Sequence, residues 1–196
     1  MRDPQRIVVA AITPQPWRNG AGRTRELALQ PSLGGAPGDF DWRISIADVE
    51  RDAPFSAFPG VDRCIALLRG DGMHLLGDGI DHRLDPASAA FRFPGEASLE
   101  ARLLGGPCAD LNLMTRRGTW YGDVIRFQCD AARTFDVEDA DVTLLLAEAG
   151  TWRVGDFELP PGVALLWRER RDTLTASAGA SGGVLHVVTL CQHPSP

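Results

Sequence analysis

The chain is expected to be all-β, with two jelly-roll-like β-barrels or sandwiches built from one run of 196 residues. Three observations predict this. Apolar residues almost never recur at the three-and-four spacing of a helix. Short apolar or alternating runs are instead punctuated by Gly, Pro and Asp at the intervals typical of a sandwich or barrel. Finally, one block of sequence recurs faintly. Ala66-Leu-Leu-Arg-Gly-Asp-Gly-Met-His-Leu-Leu followed by Leu84-Asp-Pro-Ala-Ser-Ala-Ala-Phe-Arg-Phe can be laid over Leu144-Leu-Leu-Ala-Glu-Ala-Gly-Thr-Trp-Arg-Val followed by Leu159-Pro-Pro-Gly-Val-Ala-Leu-Leu-Trp-Arg. Each copy reads strand, glycine turn, strand, proline step, strand, and Trp152 falls opposite His74.

Taken in order, the apolar N-terminal run carries a strand near 5–12, and the stretch after a glycine-rich turn carries 23–30. Alternation fixes 41–48, with Trp42, Ile44 and Ile46 on one face and Arg43, Ser45 and Ala47 on the other. Gly70-Asp-Gly72 separates strands near 64–69 and 72–76. Further runs place strands near 88–93, 98–104, 110–115 and 120–128. Gly150 separates 142–148 from 150–154, and 163–168, 173–177 and 183–191 complete the set. Pro31–Gly38 reads as a surface loop and Gln192–Pro196 as a frayed tail. Ala131–Ala140 carries the weakest strand signal and leaves room for a short helical turn linking two halves. Those halves divide at about 1–118 and 119–196, with strands open to exchange between them.

Bulk properties narrow the function. An apolar share of 44% and a charged share of 23% are ordinary for a soluble globular protein. The net charge of −6 disfavours nucleic acid or an anionic membrane as partner, since both reward basic patches. All 20 basic residues are arginine, which removes Schiff-base chemistry on lysine. The four cysteines, Cys64, Cys108, Cys129 and Cys191, form no Cys-x-x-Cys pair and read as reduced, mostly strand residues. No apolar window approaches the roughly 18 residues of a spanning helix, and the N-terminal run is too short for a signal peptide. The expectation is a cytoplasmic protein, with homodimerisation through edge strands.

Four constellations are candidates for chemistry. His74, His82, His186 and His193 form no His-x-His pair with a following Glu, so no metal or other cofactor is expected. Pro16-Trp-Arg-Asn-Gly-Ala-Gly-Arg-Thr-Arg-Glu26 reads either as a backbone nest for an anion, helped by Arg23 or Arg25, or, the favoured reading, as a tight turn in which Gly20 and Gly22 supply positive φ and Asn19 braces the backbone. Trp17 and Asn19 stay open there as pocket residues, with Glu26 weaker. In the strand after Leu104-Gly-Gly-Pro107, alternation puts Asn112, Met114 and Arg116 on one face. A buried Asn there must either tie down backbone or meet a ligand. Last, Phe55-Ser-Ala-Phe-Pro-Gly60 delivers Arg63 to the mouth of a strand, backed by Phe55 and Phe58. A guanidinium so placed holds a carboxylate through two parallel hydrogen bonds, unless Asp62 or Asp48 already pairs with it. The candidate ligand-binding set is Arg63, Asn19, Trp17, Trp42, Arg43, Ser45, Phe55, Asn112 and Met114.

These motifs resemble the HutD/Ves family. The matching strings are Pro16-Trp17-x-Asn19-Gly20-x-Gly22-x-Thr24-x-Glu26, Asp41-Trp42-Arg43-x-Ser45-x-Ala47-x-Val49, Pro54-Phe55-Ser56-x-Phe58-Pro59-Gly60-x-Asp62-Arg63 and Phe93-Pro94-Gly95. To these is added Leu104-x-Gly106-Gly-Pro-x-x-Asp110-Leu-Asn-Leu-Met-x-Arg116. Ala21 departs from them, at a place where many relatives carry glycine. The resemblance implies a bicupin fold and a cytoplasmic bacterial protein that restrains histidine utilisation by binding an intermediate such as urocanate or formyl-glutamate. It also implies that Arg63 is a pocket residue. Ves-like members are tied to environmental responses instead. The leading expectation is therefore a metal-free binding protein for a small carboxylate, more a regulator than an enzyme. The alternatives are a metal-independent isomerase or hydrolase using His74 or Glu26, and an interaction protein docking through Phe55–Pro59.

Overall fold

A computed structural model describes residues 3–36, 38–170 and 172–194. Its strands, in chain order, are Gln5–Val8 (β1), Gln15–Pro16 (β2), Gly22–Pro31 (β3), Phe40–Val49 (β4), Ala53–Pro54 (β5), Val61–Arg69 (β6), Met73–Gly77 (β7), Ile80–Leu84 (β8), Phe91–Pro94 (β9), Glu100–Leu103 (β10) and Cys108–Arg116 (β11). The remaining eight are Trp120–Cys129 (β12), Thr134–Val137 (β13), Ala140–Ala149 (β14), Trp152–Val154 (β15), Phe157–Leu159 (β16), Val163–Arg170 (β17), Leu174–Ala178 (β18) and Gly183–Gln192 (β19). Among the described residues the one helical element is the 3-10 turn Val9–Ala11, and no helix is long and apolar enough to cross a membrane. The all-β expectation holds.

The chain forms two compact units, one of residues 12–121 and one in which residues up to 11 join those from 122 onward. The sequence-drawn halves gave the N-terminal strand to the first half. It pairs instead with β17, Ile7 facing Ala164 across the ladder. Each unit consists of two sheets. In the first, the order β2-β3-β4-β11-β6-β9 stands with β5-β10-β7-β8, and in the second β1-β17-β14-β19-β12 stands with β13-β18-β15-β16. Matching β4 to β12, β6 to β14 and β11 to β19 carries β4-β11-β6-β9 onto β12-β19-β14-β17 and β5-β10-β7-β8 onto β13-β18-β15-β16, leaving β2 and β3 of the first unit and β1 of the second without counterparts. The repeat seen in the sequence is thus a repeat of topology. Its side-chain pairing is one residue out at β7 and β15. Trp152 points into its core as Met73 does, whereas His74 faces outward. A slip of one residue along a strand moves every side chain to the other face.

Several expected boundaries moved for local reasons. The run 5–12 is a strand only to Val8. In 131–140, where the sequence left room for a short helical turn, Thr134–Val137 forms β13 by pairing with β18. Short edge elements such as β2 and β5 exist because a longer partner supplies their ladder, not through any propensity of their own. Parts of the expected loop and tail, Pro37, Ser195 and Pro196, lie outside the described residues.

What positions the site is the inner face of the six-stranded sheet in residues 12–121. Ile65 and Leu67 of β6, Met73 and Leu75 of β7, Leu84, Phe93 and Leu99 pack into one buried cluster between the two sheets. Closing roughly that many apolar side chains off from water, at about 1.5–3 kcal/mol each, makes the frame stiff. On the opposite face of β4, Trp42, Ile44 and Ile46 are at most 3% exposed. Burial on both faces explains why β4 reads as nearly continuous apolar sequence with only a few polar interruptions.

Candidate functional site

One end of the apolar cluster opens into a cavity of about 780 Å³, floored by β4, β11 and β6 and walled by the β2–β3 turn and the Phe55–Gly60 segment. Register decides its floor. Arg43, Met114 and Arg63 lie side by side across three strands, followed by Ser45, Asn112 and Ile65, then Ala47, Asp110 and Leu67. Alternation sends this set inward as a group.

Arg63 reaches its place because the preceding segment is pinned. Phe55 N–H donates to the Leu99 carbonyl at 2.8 Å, Phe58 N–H to the Gly95 carbonyl at 2.8 Å, and Gly95 N–H back to the Val61 carbonyl at 2.7 Å. Gly60 takes φ +74°, a left-handed conformation that turns the chain into β6 and suits glycine. The guanidinium carbon sits 4.7 Å from the Phe55 ring centre, 5.0 Å from that of Phe93 and 5.7 Å from that of Phe58. Arg63 is 5% exposed, and its one protein hydrogen bond among the described residues is a long one, Nη1 to the Ser56 carbonyl at 3.5 Å; Nε has no partner. Burial lowers its pKa to about 10, opposed by the negative charge of Asp110 and aided by Arg43.

Neither aspartate that the sequence offered as its ion-pair partner is available. Asp62 is held by Arg117, whose Nη2 lies at 2.7 Å. Asp48 lies on the Trp42 face of β4, where Arg25, Arg69 and Arg23 hold it, the last at 3.3 Å. Arg63 is therefore a buried cation with most of its donors unspent. Aromatic faces compensate only part of its desolvation.

The remaining lining tunes this centre. The Trp17 indole N–H donates to Thr24 Oγ1 at 2.8 Å, fixing the ring as a wall. Asn19 Oδ1 accepts from Ala21 N–H at 3.0 Å, so it braces the turn as expected while also lining the cavity. Gly20 has φ +65°, but Gly22 serves a different purpose from the positive φ expected of it. A Cβ there would strike the Asp48 carbonyl and meet the Trp17 ring at 3.0 Å. Arg43 Nε donates to Glu26 Oε2 at 3.0 Å, which neutralises it at the cavity rim. Ser45, Asn112 and Met114 are buried, and Asn112 Oδ1 has no partner.

Eight of the nine expected residues, Arg63, Asn19, Trp17, Arg43, Ser45, Phe55, Asn112 and Met114, line the cavity. Trp42 does not. It is on the other face of β4, 1% exposed, with its ring edge-on to Trp120 at 6.3 Å. The alternation that placed Arg43 inward already placed Trp42 outward. His74 pairs with Asp81 at 2.6 Å on the β7–β8 hairpin, and neither it nor Glu26 lines the cavity.

The residue that sequence reading missed is Asp110. It is 1% exposed, its Oδ1 lacks a partner, and it is the one carboxylate in the lining. Burial raises its pKa to about 7, with Arg63 pulling it down and Asp48 pushing it up. The signal was present: Asp110, Asn112 and Met114 share parity on one strand.

A divalent metal does not fit this lining. Such ions need several facing imidazoles or carboxylates, and the cavity offers one carboxyl among three arginines, Arg18, Arg43 and Arg63. Among the described residues, no group of three or more His, Cys, Asp or Glu side chains is gathered anywhere for an ion.

The HutD family model matches residues 9–185. Protein Ves of Cronobacter sakazakii is 38% identical over 160 residues, which cover 81% of this chain and 83% of that protein. The structure of HutD from Pseudomonas fluorescens is similar at a TM-score of 0.81 and 27% identity, over 97% of this chain and all of the other (100%). A Cupin 2 conserved barrel domain protein from Leptotrichia buccalis shares the fold at a TM-score of 0.56 with 8% identity, over 96% and 97% of the two chains.

Proposed function

The chain belongs to the HutD family, a two-barrel cupin fold, and from the cavity it carries we propose that it binds a small organic carboxylate and thereby modulates histidine utilisation. The observation carrying this reading is Arg63: a 5% exposed guanidinium, caged by three rings, facing a cavity with Nε unpartnered. A carboxylate set against it would satisfy two donors at once, in a contact worth about 1.5–3 kcal/mol. The cavity's 780 Å³ falls within the roughly 300–1,000 Å³ of small-molecule sites. Its flat walls, Trp17 and Phe55, suit a planar or short-chain acid.

Urocanate and N-formylglutamate are the carboxylates to try, since the family is linked to the pathway that makes them. Isothermal titration of the purified protein should give saturable binding of one of them, lost in Arg63→Ala. Absence of heat from every intermediate of histidine breakdown, at concentrations well above physiological, would sink the proposal.

Asp110 is the observation that favours a second reading, a metal-independent isomerase or hydrolase acting on a related acid. A carboxyl titrating near neutrality beside an anion hold has the properties of a general acid or base. Turnover of a pathway intermediate, abolished in Asp110→Asn while binding persists, would favour it. The Phe55–Pro59 segment supports a docking patch less well, because Phe55 and Phe58 are directed at Arg63.

A further inference from the structure

Asp110 stands in β11 between Ala47 of β4 and Leu67 of β6, neither of which offers it a hydrogen bond from its side chain. The charged and titratable groups around it can be named element by element. Arg63 approaches from β6, Arg43 from β4 and Arg18 from the β2–β3 turn. Cys108 lies two residues back along β11, its thiol pushed up to about 12 by burial and by Asp110. Asp48 acts through the sheet from the opposite face, where Arg23 and Arg25 of β3 and Arg69 of β6 already hold it. From β5 and β10 only Ala53, Pro54 and Ala101 reach the cavity. Of these, Arg63 is the buried cation that acts on Asp110, and Asp110 Oδ1 accepts no hydrogen bond.

We propose that Asp110 couples ligand capture to proton uptake: it serves as the provisional counter-charge of Arg63, and it takes one proton from solvent when an organic carboxylate displaces it from that role. The inference rests on reading the cavity as a carboxylate site. Two carboxylates around one buried guanidinium repel each other, and the less well held of the two becomes neutral more readily. The ligand keeps its charge because it makes the direct contact with Arg63, whereas Asp110 Oδ1 has no hydrogen bond to hold it ionised. Asp110 already lies near pH 7 through burial, so a second anion beside it raises it further. The sign follows by linkage. Affinity is full below about pH 7, where Asp110 is protonated with or without ligand. It falls as pH rises toward the higher value in the complex, by up to about tenfold per pH unit for one proton.

Formate and N-formylglutamate are the probes, since their carboxyls titrate near pH 4 and stay ionised throughout. Calorimetry from pH 6 to 9, in two buffers of different ionisation enthalpy, should show uptake rising from near zero toward one proton around pH 8. Asp110→Asn should bind with no uptake and a flat profile. Should that variant fail to fold, carboxyl-carbon NMR of the wild-type protein should show the Asp110 titration moving to higher pH on saturation with formate. Binding with no proton uptake, or an Asp110 titration that formate leaves in place, overturns the coupling and leaves the binding reading intact. Failure of both probes and of urocanate to bind overturns both together.

Discussion

Replacing Arg63 with methionine should make the free protein more stable while weakening its hold on the proposed carboxylate. Burial brings the guanidinium down to about 10, which corresponds to a penalty of about 3 kcal/mol on the charged form. The two nearest rings, at 4.7 and 5.0 Å, return about 1 kcal/mol each. Roughly 1 kcal/mol of unrelieved cost therefore remains in the free protein. Methionine keeps most of the volume and the ring contacts without the charge, and exchange of a buried ion for an apolar side chain is often neutral or stabilising. Below pH 10 the cost is fully present, so working at pH 6 changes nothing for Arg63 itself. It does keep Asp110 largely protonated, which avoids exposing that carboxyl to the loss of its cation. The expected gain in Tm for Arg63→Met is about 2–4 °C. Affinity for the carboxylate should fall by about tenfold to just over a hundredfold, the equivalent of 1.5–3 kcal/mol. Differential scanning fluorimetry with and without a fixed excess of N-formylglutamate reads both effects: a higher baseline Tm and a smaller ligand-induced rise. A Tm several degrees lower, with the ligand-induced rise preserved, would falsify this account and make Arg63 a structural residue.

Three other outcomes test the surrounding framework. Asp110→Asn should be stabilising in a pH-dependent way: because the folded protein holds this carboxyl near 7, the wild type loses stability as pH rises from about 4 through 7. Thermal melts should then coincide at pH 4 and separate, variant higher, by pH 8. Asp48→Asn should cost about 2–3 kcal/mol in denaturant melts, less than a fully buried pair because Arg23 and Arg69 reach solvent. Its calorimetric affinity at pH 6, where Asp110 is largely protonated either way, should not change, since Asp48 faces away from the cavity. Trp42→Phe should lower stability by about 1–3 kcal/mol through lost packing against Trp120, with ligand affinity intact. A large affinity loss in that variant would mean that the face assignment of β4 is wrong.

What was legible in the sequence was what parity and turn chemistry encode locally. The alternating strands β4 and β11, and with them Arg43, Ser45, Asn112 and Met114, follow from period two, whereas Trp17, Asn19, Phe55 and Arg63 were marked by the turns and rings around them. Asp110 was equally legible by parity but was passed over, because a carboxylate is usually read as exposed until register places it between Ala47 and Leu67. Partners across strands were not legible. Asp48 and Asp62 lie near Arg63 in sequence or space, yet one is on the far face of β4 and the other is claimed by Arg117, whose place in the fold depends on a distant strand. Likewise β13 is a strand only because β18 lies beside it. Such facts belong to register and to long-range pairing, which no local window contains.

The repeated topology gives a reason for having one cavity of this kind in the first unit. Leu67 is paired with Asp110, and in the second unit its counterpart Leu145 is paired with Val187. By the same step, Asn112 beside Ile65 becomes Thr189 beside Thr143. Where the first unit keeps a cation, a carboxyl and an amide, the inner face of the second is filled by Trp152, Trp167 and Val187, with the Phe127 and Phe135 rings tilted against each other at 4.3 Å beside them. Burying polar groups without partners costs stability at each position, so a fold that needs only a frame would fill both hollows alike. The first unit keeps Arg63, Asp110 and Asn112 at that cost, with Arg63 Nε, Asp110 Oδ1 and Asn112 Oδ1 all unpartnered in one place. Three polar atoms without a protein partner converge on one cavity, which supports the proposal of a carboxylate site there.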